Sequence, residues 1–236
     1  MSGTNQSARQ QLYNNIISCR ACPRLVQWRE QVAREKRYAY RDWDYWGKPV
    51  PGFGDPNARI LIVGLAPGAH GSNRTGRQFT GDSSGGTLYP SLYETGFANQ
   101  PTFFDRNDGL KLIDAYITAV GRCAPPKNRP TAAELKNCRP FFRREWELLS
   151  QVQVIVALGQ IAFDGCLRLM REMGFAAPRV KFGHGVHYRF DSPAIGGVKH
   201  LTASYHPSRQ NTQTGRLTPQ MLNDVFNSAR SLLDEN

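Results

Sequence analysis

An apolar run that breaks into a glycine-studded loop, RILIVGLAPGAHGSNRTGRQFTGDSSGG at residues 59–86, constrains this chain more than any other stretch. Ile60 to Val63 are aliphatic at consecutive positions, the pattern of a strand buried on both faces. Such strands belong to parallel sheets, and open α/β sheets bind ligands beyond the carboxyl ends of their strands. Gly64, Gly68, Gly71, Gly76, Gly81, Gly85 and Gly86 then punctuate the loop, where backbone N–H groups can approach a ligand closely. Between them stand His70, Asn73, Arg74, Arg77, Phe79 and Asp82. A loop this long inside a compact unit is a candidate functional site.

The remainder alternates strand and helix. Apolar runs at about 113–120, 152–158 and 198–204 read as further strands. Helices are expected over 8–18, 87–97 and 160–173. Another starts at Thr131, where Glu134 completes a capping box, and a last one starts at Thr218-Pro219, with proline at its first position. Residues 180–190 read as a hairpin or an irregular excursion. The expected fold is α/β: a three-layer sandwich with a central four-stranded, mainly parallel sheet and helices on both faces. Neither an internal repeat nor a linker divides residues 1–236, which reads as a single domain.

Lys and Arg number 30 against 19 Asp and Glu, a formal charge of +11. That excess favours a polyanionic partner, nucleic acid first. No window holds the run of about 18 apolar residues that would span a bilayer, and the polar N-terminus lacks a signal sequence. The expectation is a cytoplasmic protein without membrane contact, monomeric when it meets DNA. In that compartment five cysteines point to metal ligands or buried thiols rather than disulfides. Two residues lie between Cys19 and Cys22, and fourteen between Cys123 and Cys138. A two-plus-two thiolate set suits Zn²⁺ or a [4Fe–4S] cluster, and the wide second pair leans toward the cluster. Cys166, on the apolar face of a predicted helix, reads as a small core residue. The insert REKRYAYRDWDYWGKPVPGFGDP, residues 34–56, interleaves basic and aromatic residues. That mixture suits phosphate contact and base stacking, or equally a loop whose rings pack over the core.

Three loops leave strand ends: the glycine loop, the Cys123 loop and the loop carrying Tyr205-His206-Pro207-Ser208-Arg209. In a sheet of this class they converge, so Asp82, Phe79 and His206 are expected in one pocket. The GDSSGG run at 81–86 looks like a serine-protease nucleophile loop, but the surrounding pattern is no β-barrel.

GLAPGAHGSNRTGRQFTGD, the four cysteines and SYHPSRQNT together resemble the iron–sulfur uracil-DNA glycosylases, and YWGKPVPGFGDP with AHGSNRTGR and FTGD resembles their family 5, or type B, branch. The resemblance runs from Cys19 to about Leu217. It implies hydrolysis of the N-glycosidic bond of uracil in DNA after base flipping. It also implies that Cys19, Cys22, Cys123 and Cys138 hold a [4Fe–4S] cluster. His206 would stabilise the departing base anion. Backbone N–H groups of Gly64, Ala66, Gly68 and Ala69 would assist, Phe79 would stack on the base, and Arg74 and Arg77 would meet flanking phosphates, with Ser208 and Arg209 as second candidates.

Two departures qualify that picture. Other branches place Asp, Glu or Asn just after the first strand; this chain has Leu65-Ala66-Pro67-Gly68-Ala69. Asp82 becomes the candidate for positioning water or stabilising the sugar cation, with a helix N-cap role as the plainer reading. Ala119 stands where strict uracil readers carry Asn, and a methyl group cannot read a base edge. The expectation is therefore a broad range including hypoxanthine, with Asn128 as a substitute reader. The rival readings are a non-catalytic, cluster-containing nucleic-acid-binding protein and a zinc-stabilised nucleoside hydrolase.

Overall fold

The computed structural model describes residues 2–191 and 198–234. Its sheet has six strands: β1 (Phe53–Gly54), β2 (Ile60–Gly64), β3 (Ala115–Ala119), β4 (Val154–Leu158), β5 (His187–Asp191) and β6 (Val198–Ser204). They lie in the order β1-β3-β2-β4-β6-β5. The inner four pair in parallel, whereas β1 on β3 and β5 on β6 are antiparallel. The four-stranded expectation is therefore corrected to a six-stranded mixed sheet. β1 has only two residues, too few to show alternation. β5 has a single buried side chain, so no apolar run announced it in the ambiguous 180–190 stretch.

Eight α-helices are described: α1 (Ser2–Ile17), α2 (Pro23–Glu35), α3 (Ser72–Thr75), α4 (Gly85–Glu94), α5 (Ala132–Leu148), α6 (Gln160–Glu172), α7 (Arg209–Gln213) and α8 (Pro219–Asp234). Side chains of a strand alternate between faces, and β2 shows the consequence. Ile60 and Ile62 pack with Leu88 and Leu92 of α4 and Leu222 and Phe226 of α8. Leu61 and Val63 pack with Phe142 and Trp146 of α5 and Phe163 and Leu167 of α6. All four β2 residues are fully buried, which is why the run carries no polar position. Among the described residues, no helix is long and apolar enough to cross a membrane.

The capping box at Thr131 is present: its hydroxyl accepts from the Glu134 N–H and the Glu134 carboxylate accepts from the Thr131 N–H. Helix α2 was not anticipated. Its buried positions are Leu25, Val26, Arg29 and Val32, and an arginine on the inward face disguises the helical period. Tyr93, next to the buried Leu92 on α4, is exposed.

Candidate active site

The loops after β2, β3 and β6 enclose a cleft of about 950 Å³. Its walls include Gly64, Ala66, Gly68, Ala69, Phe79, Asp82, Ala119, Asn128, His206, Ser208 and Arg209. Most of the residues named from sequence thus face one space.

Glycine is required at three points of this wall because of what stands opposite. A Cβ on Gly64 would lie 2.8 Å from the Phe79 ring, and one on Gly68 or Gly71 would lie 2.6 or 2.1 Å from Asp82 Oδ2. Phe79 itself has a φ of 52°, a left-handed conformation costly for an aromatic residue and found where a site dictates the backbone. Its ring lies over the end of β2 and stacks on His206, centroids 5.8 Å apart and planes 29° from parallel.

The other oxygen of Asp82, Oδ1, accepts the Ser84 N–H at 3.0 Å, so the carboxylate also caps the chain entering α4. Burial raises its pKa above the ordinary carboxylate range, against the hydrogen bonds from the Ser84 and Gly85 backbone. His206 sits immediately past β6, with its carbonyl taken by Ser208 N–H at 2.7 Å and Asn211 Nδ2 at 2.9 Å. The backbone is thereby fixed, while among the described residues neither ring nitrogen has a hydrogen-bond partner. Burial lowers the imidazole pKa to about 4, so at neutral pH the ring is uncharged and holds one N–H donor. Ser208 caps α7 by accepting the Asn211 N–H at 3.4 Å. Ala119 is buried at the end of β3, and Asn128 lies on the rim with a φ of 55°.

Arg74 and Arg77 correct the expectation that they meet phosphates. Both are almost fully buried and neither lines the cleft. Arg74 donates to the His70 carbonyl at 2.8 Å and the Gly81 carbonyl at 2.9 Å, and its guanidinium lies 4.0 and 4.1 Å from the ring centres of Tyr40 and Trp43. It ties the glycine loop to the insert. Arg77 forms a two-pronged ion pair with Asp108 at 2.7 Å. Its Nε donates to Thr80 Oγ1 at 2.9 Å as well, so all three of its nitrogens are engaged in place. The insert also lends the loop backbone bonds, Trp46 N–H to the Arg74 carbonyl and Gly47 N–H to the Asn73 carbonyl. Cleft residues that sequence reasoning missed include Arg37, Tyr40 and His70. The basic and aromatic character of the insert pointed to the region, but only the packing separates the buried Arg74 of the glycine loop from the exposed Arg37 of the insert.

Cys19, Cys22, Cys123 and Cys138 line a second, smaller hollow, closed by Leu25, Val26, Pro49 and Phe141. Arg29 Nη1 donates to Cys123 Sγ at 3.3 Å, the Arg122 N–H to Cys138 Sγ at 3.3 Å and Asn137 Nδ2 to Cys22 Sγ at 3.5 Å. Burial pushes the Cys123 thiol up to about 12 and raises Cys138 as well. Among the described residues no group of three His, Cys, Asp or Glu side chains is placed to hold a metal ion. Cys166 is buried in the core away from this hollow.

Residues 51–230 match the model of the Uracil DNA glycosylase superfamily. The chain belongs to that superfamily. It is 52% identical over 224 residues to the type-5 uracil-DNA glycosylase of Thermus thermophilus, covering 95% of this chain and 98% of that one. It is 44% identical to the type-5 enzyme of Pyrobaculum aerophilum, over 92% and 89% of the two chains. A type-4 uracil-DNA glycosylase of the same organism is 30% identical over 84% of this chain.

Proposed function

We propose that this protein is a DNA-repair glycosylase that hydrolyses the bond between deoxyribose and uracil, and that it accepts other deaminated bases such as hypoxanthine. The observation that carries the reading is one cleft holding a carboxylate, a stacking ring and an imidazole whose nitrogens have no hydrogen-bond partner among the described residues. A stacked base cannot expose its sugar bond, so the nucleotide must swing out into the cleft. Phe79 then offers a face for the ring. As the C1′–N bond breaks, its electron pair leaves with the base and the sugar becomes cationic. His206 donates its N–H to the carbonyl oxygen on which the base's negative charge gathers. Ionised Asp82 stabilises the sugar cation and orients the water whose oxygen bonds to C1′. The water's proton is released, and the base anion takes up one in solution.

Breadth follows from the wall of the cleft. Ala119 supplies a methyl group where a reading amide would impose hydrogen-bond geometry, and sites without such contacts discriminate weakly. Asn128, on the rim, is the side chain left to read a base edge. The four cysteines would hold a [4Fe–4S] cluster. The fit rests on a four-thiol donor set in an apolar hollow with N–H groups directed at three of the sulfurs. Metal binding would release the thiol protons, since the thiolate is the ligand. The cluster's contribution would be to brace the chain. The test is base release from duplexes carrying single uracil or hypoxanthine lesions, read as alkali-induced strand cleavage. Cleavage of both is expected. Activity on uracil alone removes the breadth, and no cleavage of either removes the enzyme.

A further inference from the structure

The arginines that face the cleft differ from those buried behind it. Arg74 and Arg77 are saturated by carbonyls, rings and Asp108, and Arg41 of the insert is paired with Asp42 at 3.7 Å. Arg37 is exposed, lines the cleft and, among the described residues, has no carboxylate or ring partner. Beside it on the same wall is His70. Tyr45, buried in the insert, reaches His70 Nδ1 through its hydroxyl at 3.1 Å, with the two rings edge to face at 6.1 Å. Burial raises the Tyr45 phenol, so it keeps its proton, and in the tautomer with Nδ1 bare it donates there. Burial and the charges of Arg37 and Arg74 lower the His70 pKa, so the ring is neutral and its one proton sits on Nε2.

An unpaired guanidinium beside a fixed neutral N–H donor is an arrangement for one singly charged, oxygen-rich anion. The depth of the cleft offers Gly64, Phe79 and Ala119, surfaces for a base. Its rim offers cations, and the phosphodiester chain must cross that rim once the nucleotide has turned inward. We propose that Arg37 and His70, with Tyr45 setting the imidazole, form a clamp for one phosphodiester of the lesion strand next to the extruded nucleotide. The proposal rests on the glycosylase reading for the presence of that strand. Arg74 shares in it only by holding the insert against the glycine loop.

The experiment compares the wild-type protein with Arg37→Ala, His70→Ala, His70→Gln and Tyr45→Phe on a uracil duplex. It is repeated with a single uncharged methylphosphonate placed at one phosphate at a time across the lesion. Losing one such contact should raise KM roughly three- to tenfold, with the loss falling on KM rather than kcat. The slope of log Kd against log salt should shrink by about 0.9 in Arg37→Ala and stay constant in His70→Ala, which removes no charge. His70→Gln, which keeps a donor, should recover part of the loss. Tyr45→Phe should lose less than His70→Ala. One methylphosphonate position should weaken the wild type and leave Arg37→Ala and His70→Ala unaffected. Wild-type KM and salt slope in both alanine variants, a loss confined to kcat, or equal additive penalties at every phosphate would overturn the clamp. If the wild type releases no base, the glycosylase reading fails instead, and the salt slope of binding to the intact duplex still decides the clamp.

Discussion

The segment from Ala119 to Cys138 has a polar site on either side, and the two differ in what their donors and acceptors have already met. Toward the cleft it presents Ala119, Pro125 and Asn128; toward the cysteine hollow it presents Arg122, Cys123 and Cys138. On the hollow side the charges and most of the sulfurs are engaged within the protein, although the buried Nε atoms of Arg29 and Arg122 have no partner among the described residues. Three sulfurs receive N–H donors, and Arg122 is locked to Glu145 at 2.6 Å. That carboxylate also accepts from Tyr116, Thr118 and the Gly52 N–H. On the cleft side, the His206 ring, Arg37 and Arg209 have no such partners among the described residues. Buried polar groups are normally satisfied. The side whose buried charges are paired therefore braces the loop, and the side whose His206 ring and exposed arginines are unpaired is where a ligand can be met.

The contrast breaks if damage to either side has the same consequence. The largest effect is expected on the hollow side. Glu145→Gln leaves Arg122, which is 1% exposed, charged and unpaired, and should cost about 3–5 kcal/mol of stability. Denaturant unfolding measures it, and near-normal base release per folded molecule at low temperature is the matching expectation. A variant as stable as the wild type would mean that the network is not a brace. On the cleft side, His206→Ala and Asp82→Asn should each lower the single-turnover rate by roughly 10²–10³-fold. The His206 variant should do so with little loss of melting temperature, because among the described residues its ring makes no hydrogen bond and only stacks on Phe79. Unchanged rates would move the chemistry to other residues.

What the sequence made legible divides along a similar line. The β2 run, the Thr131 capping box and the placement of His206 and Asp82 on strand-end loops are local patterns, and local patterns carry their own geometry. Arg74 and Arg77 misled because charge in a loop says nothing about what lies over it. Here Tyr40 and Trp43 cover one, and Asp108, far along the chain, neutralises the other. Arg37 was legible only as one of several basic residues in the insert, for the same reason in reverse. The edge strands β1 and β5 were hidden because a two-residue strand and a mostly exposed strand show no apolar run.

The smallest expected effect sharpens the comparison most, because a single cause acts on two cleft groups with opposite charge. Burial disfavours ions of either sign, so it raises Asp82 and lowers His206 to about 4. For His206 the folded pKa lies below the ordinary value of 6.5. The unfolded chain then binds the extra proton between those two limits, and stability falls as pH drops from about 6.5 toward 4. His206→Gln should flatten that part of the stability curve. Base release behaves differently. Its rate should show no His206 step between pH 5 and 8, since the imidazole is neutral throughout. Its acid limb should instead follow Asp82 and lie above the ordinary carboxylate pKa. A titration of the His206 ring protons by NMR separates the two groups. A midpoint near 6.5 would mean that the ring is solvated and charged at mildly acid pH, and the cleft would then stabilise the departing base with a cation rather than a neutral donor.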